Sequence, residues 1–138
     1  DFIIDVVKDI NENNVFTAPS VSQRAALHAL RLRREVCPPL VEEIKSRMMY
    51  AYDRISRIPK LSTLPPRGSM YMFVNIKETG LSSTEFCDLL LKEAHILALP
   101  GIGFGECGEG YIRLALTIGI SEMEEAFNRI ERLSILRR

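Results

Sequence analysis

"YIRLALT", residues 111–117, is the stretch that decides the fold, and it follows directly on a glycine-crowded run, "PGIGFGECGEG", residues 100–110. In an extended chain successive side chains point to opposite sides. Tyr111, Arg113, Ala115 and Thr117 therefore share one side, and Ile112, Leu114, Leu116 and Ile118 share the other. The apolar side predicts a core-facing strand, and Arg113 points away from that core. A permanent charge at this place has two readings. It can snorkel or pair on an outer face, or its planar fork can grip a carboxylate through two parallel hydrogen bonds. The small Ala115 and the neighbouring glycines leave room for a ligand beside it.

The glycine run satisfies G-x-G-x-x-G at Gly103, Gly105 and Gly108. That fingerprint binds a dinucleotide only where a helix starts at the glycines. Here a strand follows, and Glu106 and Glu109 would repel phosphate, so a nucleotide site is not expected. A flexible connection between two strands is the simpler reading.

Working outward, "ILALP" and "MYMFVNI" complete three strands, at about 96–99, 70–76 and 111–117. "MYMFVNI" is mostly apolar and reads as a central strand buried on both sides. Helices fill the rest. One spans 2–12 and is closed by Asn13 and Asn14. "SQRAALHALRLRREV" follows, capped by Ser20 or Ser22. Pro38 and Pro39 interrupt it and sit in the first turn of the next helix. That helix places Leu40, Val41, Ile44, Met48, Ala51 and Ile55 on one face. Ser82 with Glu85 predicts a capping box before "SSTEFCDLLLKEA", and Ser121 with Glu124 a second one. The second opens a final helix with Met123, Ala126, Phe127, Ile130 and Leu133 on its buried stripe. Met48, Met49, Met70 and Met72 read as core or gap fillers. The order predicts an α/β chain: an α+β two-layer sandwich whose three-stranded sheet carries its helices on one face.

The composition narrows the function. With 18 basic and 18 acidic residues among 138, nothing points to nucleic acid or an anionic membrane. No apolar run approaches a membrane span, and the charged N-terminus does not read as a signal peptide. Cys37, Cys87 and Cys107 are odd in number and widely spaced, which suits a reducing compartment, most simply the cytoplasm. His28 and His95 lack partners at metal-ligand spacing, and no serine sits on a nucleophile elbow. The residues alone show no self-contained catalytic machinery. The chain opens on Asp1, already inside an amphipathic pattern, and reads as cut from something longer.

"PGIGFGECGEGYIRLALT" followed by "EMEEAFNRI" resembles the C-terminal end of class I/II aminotransferases, the fold-type I pyridoxal phosphate enzymes of the aspartate aminotransferase superfamily. "TAPSVSQRAALHAL" and "PPRGSMYMFVNI" are similar to segments of that family in the same order. The resemblance implies the family's small domain over residues 39–138, with connecting helices and a subunit-contact loop over residues 1–38. It implies that Arg113 binds the α-carboxylate of an amino-acid substrate. Gly103 and Phe104 would lie near the active-site mouth, Met70 would line the pocket, and Phe16 and Thr17 would reach a partner subunit's site in a homodimer. "NENNVFTAP" has no arginine where aspartate-specific members carry one, so a dicarboxylate-specific enzyme is not expected.

The family's Schiff-base lysine motif is absent from Lys8, Lys45, Lys60, Lys77 and Lys92. The resemblance therefore implies no catalytic residue here and a missing N-terminal large domain. It also implies pyridoxal 5'-phosphate in the full-length enzyme but not on this stretch, and amino acid and 2-oxo acid as substrates. Other readings stay open: a decarboxylase, lyase or synthase of the same fold type, the effector-sensing domain of a transcription regulator, and a stand-alone α/β interaction domain.

Overall fold

In the computed structural model, which describes residues 2–15 and 17–137, strand β3 (Tyr111–Ala115) is the middle of a three-stranded antiparallel sheet. β1 (Tyr71–Asn75) pairs along its whole length on one side, with Phe73 opposite Arg113. β2 pairs on the other side through only Leu99 and Pro100, with Leu99 also opposite Arg113. The predicted strand 96–99 is thus displaced and reduced to two residues.

β1 is an edge strand and alternates, which corrects the reading of "MYMFVNI" as central and buried on both sides. Met72 and Val74 are buried, while Tyr71 and Phe73 are exposed. Its free edge is partly covered by Ser62, which exchanges backbone hydrogen bonds of 2.7 and 3.2 Å with Asn75 of the strand. Such covering blunts an edge that could otherwise pair with another chain.

Among the described residues the α-helices are α1 (Phe2–Val15), α2 (Ser20–Arg31), α3 (Arg33–Arg57), α4 (Ser83–Leu89) and α5 (Ile120–Glu131). The chain divides into two compact units, residues 1–40 and 41–138. In the first unit Asn13 and Asn14 do not end α1, which continues to Val15. Apolar residues such as Phe2, Ile3, Val7, Val21 and Leu30 are exposed there. Pro38 and Pro39 do not interrupt a helix; both lie inside α3, and the break falls instead at Leu32. Each proline deletes one i→i−4 bond. The stretch is exposed, so water can satisfy the freed carbonyls and the helix continues.

The core lies in the second unit, on one face of the sheet. Ile55 of α3, Phe86 of α4, and Met123 and Phe127 of α5 meet Met72, Val74, Ile112 and Leu114 there. Of the α3 face expected to be apolar and covered, Met48, Ala51 and Ile55 are buried, but Leu40 and Val41 are exposed. Met48 and Met72 fill the core as expected; Met49 and Met70 do not and are exposed. Arg54 ties α3 to α5. It donates to Glu131 Oε1 and Asn128 Oδ1, each at 2.8 Å, and to Tyr50 Oη at 2.9 Å.

Both ends of α5 also differ from expectation. α5 begins at Ile120 because the Gly119 N–H donates to Glu122 Oε2 at 3.0 Å. The acidic partner is therefore Glu122, with Gly119 rather than Ser121 as the cap. α5 ends at Glu131, and a 3₁₀ turn at Ser134–Leu136 brings Leu136 into the core. α4 opens with the expected capping box: Ser82 Oγ accepts from the Glu85 N–H, and Glu85 accepts from the Ser82 N–H. It widens into a π turn at Leu90–Ala94, stopped by left-handed His95. Burial pushes the Cys87 thiol of α4 up to about 11, with the Asp88 charge adding to the rise. Cys37 and Cys107 are exposed, and all three thiols are free.

Candidate functional site

The face of the sheet opposite the core carries the site. Alternation along β3 puts Tyr111 and Arg113 there, and alternation along β1 puts Tyr71 and Phe73 there. The Arg113 guanidinium carbon lies 4.4 Å from the centre of the Tyr71 ring and 4.4 Å from that of Phe104. Among the described residues, its N–H groups have no hydrogen-bond or ion-pair partner. Three other arginines of the unit are committed to structure. Arg54 is held as above, Arg47 donates to Thr117 O and pairs with Glu43, and Arg129 donates to Ala94 O. Arg113 alone of these four presents an unspent fork, half-buried beside the aromatic rings of this face.

Phe104 comes from the glycine run, which is a folded loop rather than a flexible one. Two 3₁₀ turns, Gly101–Phe104 and Glu106–Gly108, carry it. They fold back so closely that a Cβ on Gly101 would sit 2.0 Å from Gly108 O, and one on Gly108 2.1 Å from Gly101 O. Only glycine permits such backbone contact. Phe104 then rests edge-on against Phe73, with ring centres 5.5 Å apart. Tyr111 lies 6.4 Å from Phe73, and the Lys77 ammonium sits 4.8 Å over the Tyr111 ring.

Glu109, expected only to repel phosphate, anchors the loop. It accepts from the Ser83 N–H and from the Ser83 hydroxyl, both at 2.7 Å. The Ile102 N–H in turn donates to Ser83 Oγ at 3.4 Å. Ser83 is fully buried. Donation from the Ser83 backbone, then from its hydroxyl, holds the Glu109 carboxyl below its ordinary value. The Ser82 hydroxyl and then its backbone N–H do the same for Glu85.

A lowered folded-state value means the ionised form stabilises the fold at neutral pH. That stabilisation begins to fade as the pH falls below the ordinary glutamate value of about 4.3, and it is gone below the lowered one. Thermal melts from neutral pH downward are expected to show a steeper acid loss in the wild type than in Glu109→Gln. Equal acid limbs would remove Glu109 from this role.

The expected site residues are only partly brought together. Arg113 and Phe104 meet, and Gly103 is exposed in the turn that delivers Phe104. Met70 lines a separate hollow of about 530 Å³ with Ile44, Met48, Met49 and Gly68. Another hollow of about 470 Å³ is lined by Thr63, Tyr71, Phe73 and Tyr111. Thr17 is an exposed bend in the first unit, and Phe16 lies outside the described residues. Sequence reading missed Tyr71 and Phe73. Their signal was the alternation of Tyr71, Phe73 and Asn75 against Met72, Val74 and Ile76. Among the described residues, no three His, Cys, Asp or Glu cluster to hold a metal ion. No described helix is long and apolar enough to cross a membrane.

The sequence and the fold are similar to those of known proteins. Aromatic-amino-acid aminotransferase 2 of Thermococcus litoralis is 38% identical over 113 residues, covering 80% of this chain and 29% of the relative. The aspartate aminotransferase of Pyrococcus abyssi is 34% identical over 134 residues, covering 96% and 34%. The crystal structure of Pyrococcus protein A1 superposes with a TM-score of 0.80 at 33% identity, over 90% of this chain and 32% of that one. The chain thus spans about a third of the length of the curated relatives it matches. The profile of the family described as aminotransferase class I and II matches residues 2–130, and the chain belongs to that family.

Proposed function

We propose that this chain is the substrate-carboxylate-binding portion of a pyridoxal phosphate-dependent aminotransferase, which moves an amino group between an amino acid and a 2-oxo acid. The unspent Arg113 fork on the open sheet face is the observation that carries the reading. A carboxylate is planar and accepts two parallel N–H donations, which is the shape that a guanidinium edge offers. Residues 39–138 serve as the small domain, and residues 1–38 as connecting helices with a bend at Thr17 that reaches a partner subunit. Met70, Gly103 and Phe104 line the approach to the substrate. The absence of an arginine from "NENNVFTAP" favours a neutral or aromatic side chain over a second carboxylate. The reading includes a homodimer, and a cytoplasmic location suits three free thiols.

The lysines of this chain do not fit the cofactor. Lys45 pairs with Glu42 and Lys92 with Asp88 on helix surfaces, while Lys60 donates to Ile135 O at 2.7 Å. Lys77 lies over Tyr111, and Lys8 is exposed on α1. A Schiff-base lysine needs its amine free inside a cofactor pocket; Lys45 borders the hollow of about 530 Å³, but its amine pairs with Glu42. In this reading the cofactor is held by sequence beyond these residues, and the part played here is to bind and orient the substrate.

The whole protein is expected to transfer the amino group of L-alanine or L-phenylalanine to 2-oxoglutarate. Borohydride reduction followed by peptide mass spectrometry should place the cofactor on a lysine outside these 138 residues. The 138-residue chain by itself should give neither transfer nor adduct. A stoichiometric adduct on one of its five lysines, or a whole protein inert toward every amino acid, would overturn the reading.

A further inference from the structure

We infer that Tyr71 and Phe104 are positioning residues for the Arg113 fork: their rings hold the guanidinium so that only its edge is open, which restricts the site to a planar group arriving in the guanidinium plane. The inference rests on the carboxylate reading above and specifies how that site selects its ligand. Both rings approach the guanidinium carbon to the same 4.4 Å. They make no ring contact with each other among the described residues, so each meets the guanidinium as a separate ring.

A guanidinium is weakly hydrated, and its faces stack on aromatic rings while its edges donate. Stacking therefore leaves every N–H donor free and removes the freedom to swing toward other acceptors. Less order then has to be imposed when the ligand binds. Glu109, the acidic side chain nearest in sequence on the loop, is itself occupied by Ser83 and does not compete for the fork.

The clamp also accounts for the construction of the glycine loop. Tyr71 is placed by strand register alone, since it faces Ala115, one step along from Arg113 on the open face. Phe104 has to be delivered from outside the sheet. The Gly101–Gly108 contact and the Ser83–Glu109 anchor fold the loop back, and Phe73 supports the Phe104 ring from beside. Both clamping rings are exposed, at 41% and 50%, so burial in the core does not explain them.

The test uses the whole protein with L-alanine or L-phenylalanine, whichever the wild type turns over faster, and 2-oxoglutarate. Tyr71→Leu and Phe104→Leu keep apolar bulk but remove the ring. Each is expected to raise the amino-acid KM by about three- to thirtyfold, the range of a partly desolvated cation–π contact, with kcat near wild type and an unchanged melting temperature. Tyr71→Phe and Phe104→Tyr keep the ring and should restore most of the affinity.

Arg113→Ala serves as the reference. If it raises KM while both leucine variants leave KM alone, the clamp is wrong and the carboxylate reading stands. If the ring-keeping variants are as impaired as the leucine ones, the rings act otherwise than by stacking, and the clamp is again overturned. If Arg113→Ala itself leaves KM unchanged, the carboxylate reading falls and the clamp falls with it.

Discussion

On the carboxylate reading, Arg113→Ala in the whole protein is expected to lower kcat/KM for the amino acid by about ten- to a hundredfold or more. A hydrogen bond to a charged group contributes roughly 1.5–3 kcal/mol, and the fork offers two. The loss should appear mainly in KM, because the carboxylate is bound before and during reaction and is not itself transformed. Arg113→Lys should recover only part of it, since an ammonium is a point charge and cannot reproduce two parallel donors. Folding should hardly change: the guanidinium touches two exposed rings and makes no hydrogen bond or ion pair with a described residue. Steady-state kinetics beside a thermal melt make the comparison. Wild-type kinetics in the alanine variant would return Arg113 to an ordinary surface arginine.

Gly101→Ala is expected to cost stability on the order of 3 kcal/mol or more, or to prevent folding, through backbone overlap at a tightly packed point. The new methyl would lie 2.0 Å from Gly108 O and 2.5 Å from Tyr111 O. Both atoms are backbone, so no side chain can swing aside to relieve the clash. Gly108→Ala meets the same contact from the other side, at 2.1 Å from Gly101 O. Because one opening of the loop would relieve both, the double variant should cost less than the sum of the two. Gly103→Ala is the control. Its Cβ would meet nothing within 4 Å, so a change within about 0.5 kcal/mol of wild type is expected. Denaturant melts of the four variants decide the matter; a Gly101→Ala protein as stable as Gly103→Ala would mean that the loop is looser than described.

What the sequence disclosed follows from how local each determinant is. The two sides of "YIRLALT" were legible because alternation is built into an extended chain, and the Ser82–Glu85 cap because its partners lie three residues apart. β1 was misjudged because Tyr71 and Phe73 are apolar yet face outward; hydrophobicity alone cannot separate a ring in the core from one stacked on a charge. Pro38 and Pro39 misled for a different reason. Exposure decides whether a broken helical bond is tolerated, and exposure is not written locally. The clamp around Arg113 was beyond reach. It joins β1, the glycine loop and β3, and depends on a backbone contact between Gly101 and Gly108 and on an anchor between Ser83 and Glu109 that spans 26 positions.

The alternation of β1 and β3 bears on how such a domain can diversify. Every second residue, Met72 and Val74 or Ile112 and Leu114, answers to the core, while the residues between them answer to whatever occupies the open face. On the proposed reading, mutation at Tyr71, Phe73 or Tyr111 would retune ligand preference with little penalty to the fold, because the two sets of positions make contacts on opposite sides of one sheet. The open face can thus change in sequence while the core side of the same strands stays as it is.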